Sequence, residues 1–97
     1  MRGNYVTVRR YEGVVNPAEA AKRVHDGFVP LIQKIKGFVG YYWVDAGGGT
    51  MVSTSIFLDQ AGEEESNAIA KEWVKHNLAG AFPNPPQVTA GKVVAHS

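Results

Sequence analysis

The side chains best suited to bind or react gather on one long helical pattern. At about 100° per residue, Ser66, Ile69, Ala70, Trp73 and Asn77 fall on one side of it, while Lys71, Glu72 and Lys75 fall elsewhere. A stripe that mixes Trp73 and Ile69 with a hydroxyl and an amide suits a small cavity between helix and sheet, since a closed core must partner every buried polar group. The plainer alternative has Asn77 bonding nearby backbone at the helix end and Ser66 at the stripe's edge. His76, one step from Asn77 and near Trp73, has the chemistry of a general base, or of a cation at a helix C-terminus. Trp73, His76 and Asn77 form the candidate catalytic group, with Ser66 and Ile69 as pocket residues beside them.

Other side chains could complete such a pocket. Arg9 shares its side of the first strand with Tyr5 and Tyr11, where it could meet an anionic ligand or form a salt bridge. His25 lies at the edge of the first helix's apolar stripe, beside Phe28, and Tyr42 stands in an aromatic strand. His96, next to the C-terminus, is expected to face solvent. No two histidines have the one-turn spacing that presents both to a metal, so no metal site is expected. Ser53 and Ser55 alternate on a strand without a nucleophile elbow, and the absence of cysteine excludes thiolate chemistry and disulfides.

The strands and helices that carry these residues are well marked. The 97 residues fit one domain, residues 1–97, with an apolar share of 44% and a charged share of 20%, as in an ordinary globular protein. Asn4 to Glu12 alternates as a strand. Asn16-Pro17-Ala18-Glu19 then supplies a helix cap, a proline at the first helical position and a glutamate three residues after the cap. Val24, Phe28, Leu31, Ile32 and Ile35 continue that helix, and Pro30 predicts a kink near Gly27. Gly37-Phe38-Val39-Gly40-Tyr41-Tyr42-Trp43-Val44 reads as a strand apolar on both faces, with Phe38, Tyr42 and Val44 on one side and Val39, Tyr41 and Trp43 on the other. The glycines Gly47, Gly48 and Gly49 make a hairpin rather than a phosphate cradle, because a strand follows them, Met51 to Asp59, and not a helix.

Asp59 caps a second helix running to about Leu78, with Glu63, Glu64 and Glu65 read as dipole complements on its solvated face. Gly80 and Pro83-Asn84-Pro85-Pro86 end it, and Gln87 to His96 reads as a fourth strand. The order β-α-β-β-α-β is the ferredoxin-like α+β plan: a four-stranded antiparallel sheet with two helices on one face. Its other face is left bare, and a homodimer burying sheet against sheet would cover it.

A family likeness rests on Gly37-Phe38-Val39-Gly40-Tyr41-Tyr42 entering the second strand, on Ser55-Ile56-Phe57-Leu58-Asp59 ending the third, and on Glu65-Ser66-Asn67 with Trp73 on the second helix. Over nearly its full length the chain resembles the antibiotic biosynthesis monooxygenase family, which includes cofactor-independent quinone-forming and haem-degrading enzymes. The resemblance implies a dimeric α+β barrel, a pocket between helices and sheet with Trp73 facing it, and catalysis with no flavin or metal of its own. It does not extend to the haem-degrading branch, which has an asparagine on the first strand and a histidine well beyond the tryptophan. Here the first strand offers Thr7 and Arg9, and His76 is only three residues on.

Two functions follow as expectations. One is a cofactor-independent monooxygenase or isomerase acting on an aromatic or polyketide-like molecule, in which a histidine or tyrosine takes a proton from a phenol. The other is a non-catalytic dimeric ligand-binding or scaffold domain, because a fold does not confer an activity. Nucleic acid is not expected: ten basic and nine acidic residues leave a net charge of +1, and the third strand carries only Phe57 of the aromatics an RNA-recognition sheet would need. Nor is a membrane. No apolar run approaches the roughly 20 residues of a span, and Met1-Arg2-Gly3-Asn4 leads into a strand without a signal peptide's apolar stretch, so a cytoplasmic location is expected.

Overall fold

The computed structural model describes residues 4–78 and 80–97, and the expectation drawn from Met1, Arg2 and Gly3 lies outside them. Strands β1 (Tyr5–Tyr11), β2 (Phe38–Gly47), β3 (Thr50–Phe57) and β4 (Gln87–Lys92) form one antiparallel sheet in the order β2-β3-β1-β4. The helices lie against one face of it. The first helical run comprises α1 (Pro17–Arg23), a π-turn (Val24–Phe28) and α2 (Val29–Ile32), and the second is α3 (Gln60–Asn77). This is the ferredoxin-like α+β fold.

The caps form where the sequence places them. Asn16 Oδ1 accepts from the amide of Glu19 with Pro17 at the first turn, and Asp59 Oδ1 accepts from the amide of Gly62 at 2.9 Å. Pro30 acts differently from the expected kink. Its ring cannot donate to the Asp26 carbonyl and crowds it, and the chain answers by widening the preceding turn: Val29 N–H reaches back five residues to the carbonyl of Val24. The helix thus continues through Pro30 on a π-turn.

The aromatic strand is also re-sorted. Phe38 pairs with Phe57 and Gly40 with Ile56, so Val39 is an extra residue, and this bulge reverses the alternation at the strand's start. Phe38 joins Tyr41 and Trp43 on the helix side and packs on Phe57, while Val39, Tyr42 and Val44 are exposed on the other. The fourth strand stops at Lys92, short of the expected His96. Glu63 departs most from expectation: it is buried, not solvated, whereas Glu64 and Glu65 are exposed.

Beneath the helices, Val24, Phe28, Ile32, Ile35 and Phe57 form the main core, and Tyr11, Val14, Ala20 and Met51 a second cluster. The first turn of α3 comes close to the sheet because Gly62 has no side chain. A Cβ there would stand 3.0 Å from Phe57 Cδ1 and 3.1 Å from the Lys36 carbonyl oxygen. Backbone cannot yield as a side-chain tip can, so Gly62→Ala is expected to cost about 1–3 kcal/mol. Urea denaturation should show a lower midpoint with unchanged slope.

Candidate functional site

Antiparallel pairing sets the floor of the site. Trp43 lies opposite Ser53, Ser53 opposite Arg9, and Arg9 opposite Val88, so these four residues cross the sheet in one row on the helix-facing side. Ser53 is the small member between two large ones, and it leaves a hollow. The neighbouring row carries Tyr41, Ser55 and Thr7.

The roof is α3, held by a polar network. Thr7 Oγ1 donates to Glu63 Oε1 at 2.6 Å, Asn67 Nδ2 donates to the same oxygen at 2.8 Å, and Arg9 Nη2 donates to Asn67 Oδ1. Ser66 Oγ donates to the Glu63 carbonyl at 2.7 Å, so the buried hydroxyl is satisfied within its own helix. With Glu63 and Asn67 turned to the sheet, Ala70 and Val74 follow on the same face at helical spacing. Small side chains meet a small floor residue, and space results.

That space has two parts. A narrow crevice with room for about one water lies among Arg9, Tyr41, Trp43, Ser53 and Trp73. A larger cavity of about 370 Å³ opens between α3 and the β4 edge, lined by Arg9, Tyr11, Asn67, Ala70, Lys71, Val74, Pro86 and Val88. Arg9, Tyr11, Ala70 and Val74 border both. Burial pushes the Tyr41 phenol far above the ordinary tyrosine range, with Tyr11 adding to it and Ser53 and Arg9 opposing; burial likewise raises Tyr11 against the pull of Arg9. Both phenols are therefore held protonated. They can donate a hydrogen bond but do not serve as bases near neutral pH.

The residues expected from sequence are distributed over several places. Arg9 lies on the cavity floor, and Trp73 borders the crevice while packing sideways on the first helical run. Its ring centroid is 5.5 Å from that of Phe28, and a Cβ on Gly27 would stand 3.0 Å from its Cζ2. The π-turn and Gly27 together make room for the indole. Ile69, His76 and Asn77 share with Trp73 a shallow groove on the outer side of α3. There His76 Nε2 meets Glu72 Oε2 at 3.3 Å and is largely exposed, and Asn77 Nδ2 donates to the Trp73 carbonyl at 2.9 Å. Asn77 thus takes the plainer of its two expected roles. His25 is exposed beside Asp26, and Tyr42 points from the opposite sheet face at 61% exposure.

Asn67, Glu63 and Tyr11 complete the site without having been singled out. A signal existed: Glu63 is three residues before Ser66, four before Asn67 and seven before Ala70, on the same helical face.

No protein-family profile matches the sequence, and no curated protein matches it. Solved structures do match the fold. A monooxygenase of Streptomyces coelicolor, ActVA-Orf6, determined with the ligand nanaomycin D, superposes with a TM-score of 0.78 at 14% identity, over 99% of this chain and 92% of that one. SnoaB, a cofactor-independent oxygenase of Streptomyces nogalater, gives 0.66 at 18% identity, over 98% and 95%. A dimeric ferredoxin-like protein from an uncultured marine organism gives 0.74 at 14% identity, over 98% and 99%. The chain has the fold of these proteins.

The raised tyrosines carry a pH consequence. Their folded pKa values exceed that of about 10 in the unfolded chain, so the unfolded state loses these protons first as pH rises. Their contribution to stability is full below pH about 10 and declines above it. Urea midpoints measured near pH 8 and near pH 11 should fall more for the wild type than for Tyr41→Phe, which has lost one of the two groups.

Proposed function

We propose that this chain binds a small, mostly apolar aromatic molecule in the cavity between α3 and the sheet and acts on it as a cofactor-independent oxygenase. The observation that carries the reading is the cavity itself: about 370 Å³, within the roughly 300–1,000 Å³ usual for small-molecule sites, with apolar walls and a few convergent polar groups. The fold shared with a monooxygenase and a cofactor-independent oxygenase supports the reaction class. Trp73 is retained as the indole bordering the inner crevice; His76, Asn77, His25 and Tyr42 take no part in this proposal. A non-catalytic ligand-binding domain is the second reading, favoured by one observation: among the described residues, the cavity lining holds neither a carboxylate nor a histidine to act as a base.

Val88 stands at the cavity edge on an exposed strand, so Val88→Trp fills the space without disturbing the core. The wild type is expected to bind 1-naphthamide, followed by quenching of tryptophan fluorescence, and Val88→Trp to bind it at least about tenfold more weakly. Oxygen uptake with a panel of hydroxylated naphthalenes then separates the readings. Uptake in the wild type that Val88→Trp abolishes supports the oxygenase; binding without uptake supports the binding domain.

The proposal includes a homodimer through the open sheet face. Val39, Tyr42 and Val44 are exposed there, beside the outward Val52 and Ile56, and a contiguous apolar face of this kind marks an association surface. The dimeric protein of the same fold supports the assembly. Sedimentation at micromolar concentration should give a dimer for the wild type and a folded monomer for Tyr42→Glu.

A further inference from the structure

We propose, building on the cavity reading, that the bound molecule carries one anionic oxygen group, a carboxylate or a phenolate, and that Arg9 receives it. Arg9 is only 8% exposed. Among the described residues its guanidinium enters no ion pair, and its one side-chain hydrogen bond goes to the neutral amide of Asn67. Glu63, the carboxylate of the same network, already accepts from Thr7 and Asn67, so the amide of Asn67 stands between acid and cation.

A buried cation without a counterion is costly, and a guanidinium has five N–H donors in a fork that fits a carboxylate. The spare donors are not sealed in. Among the described residues the buried side-chain nitrogen or oxygen without a partner is Trp43 Nε1, not an atom of Arg9, so the guanidinium opens onto the spaces it lines. Among the described residues, the wall adds a second cation, Lys71, and no carboxylate. Trp43, whose Nε1 is buried without a partner, lines the adjoining crevice.

These features select an amphiphile. Its anionic oxygen goes to the deep end, at Arg9, and its apolar body lies along Ala70, Val74 and Val88 toward the mouth. If the group is a phenol, its proton leaves to solvent and the phenolate oxygen stays on the guanidinium.

Calorimetric titration with 1-naphthoate and its neutral analogue 1-naphthamide tests the assignment. The wild type should bind the naphthoate at least about tenfold more tightly; Arg9→Gln should lose that preference, and Lys71→Gln should keep most of it. The phenolate arm needs no variant. The absorbance of 4-nitrophenol bound to the wild type should show ionisation about one pH unit or more below that of the free phenol. A naphthoate preference alone assigns a carboxylate, and a nitrophenol shift alone assigns a phenolate. Naphthamide binding with neither effect, or a preference that survives in Arg9→Gln, overturns the anion assignment and leaves the cavity reading standing. Failure of every probe to bind the wild type overturns both.

Discussion

The buried carboxylate of Glu63 fixes how the second helix sits on the sheet, and the rest of the site depends on it. An anion removed from water must be met by donors, and Thr7 from the strand and Asn67 from the next helical turn both converge on Oε1. That requirement sets the rotation of α3 about its own axis. Once Glu63 faces Thr7, Asn67 must face Arg9, and Ala70 and Val74 must lie over Ser53 and Val88. A helix turned by apolar packing alone would present Ile69 and Trp73 to the sheet and fill the hollow.

Trp73 is then displaced to the flank, where something must accommodate a large ring. Gly27 and the widened turn at Val24–Phe28 provide that space, so a feature forced locally by Pro30 serves a contact with a distant helix. On the strand side, Tyr11, Trp43 and Phe82 pack with centroids 4.5–5.9 Å apart, and Tyr11 and Trp43 line the crevice. The same apolar surroundings that raise the phenols of Tyr11 and Tyr41 also strengthen the field of Arg9, because both effects follow from the removal of water.

Most of the fold was legible in the sequence because its signals are local. Asn16 and Asp59 cap, Pro17 starts a helix, the glycines at 47–49 turn a hairpin, and the order of elements follows. The misreadings arose where a distant partner decides. Val39 bulges because strand β3 pairs past it, which the alternation of one strand cannot reveal. Glu63 is buried because Thr7 awaits it 56 residues away, and a glutamate in a first helical turn ordinarily serves the helix dipole. Taking Ser66, Ile69, Ala70, Trp73 and Asn77 as the buried stripe therefore drew its centre roughly 70° from the face that Glu63, Asn67, Ala70 and Val74 define. Arg9 was visible as a candidate, but its meaning depends on Asn67, which lies outside that stripe.

The two faces of the sheet divide the work. One is polar at its centre and roofed by α3; the other is apolar and open, with Tyr42 and Val44 exposed on it. The division leaves the cavity wall, among the described residues, with cations and hydrogen-bond donors and without a carboxylate: Glu63, turned to the sheet, accepts from Thr7 and Asn67 through Oε1, and the nearby phenols keep their protons. His76 sits across the helix, paired with Glu72. Under the proposed function, the site is therefore read as working without a histidine or tyrosine base. In the proposed reaction its contribution is to stabilise negative charge at Arg9, and that would act only on a molecule able to develop it. A substrate acidic enough to ionise beside the guanidinium would be activated toward dioxygen by the binding itself, whereas a neutral aromatic of the same shape would be held and released unchanged.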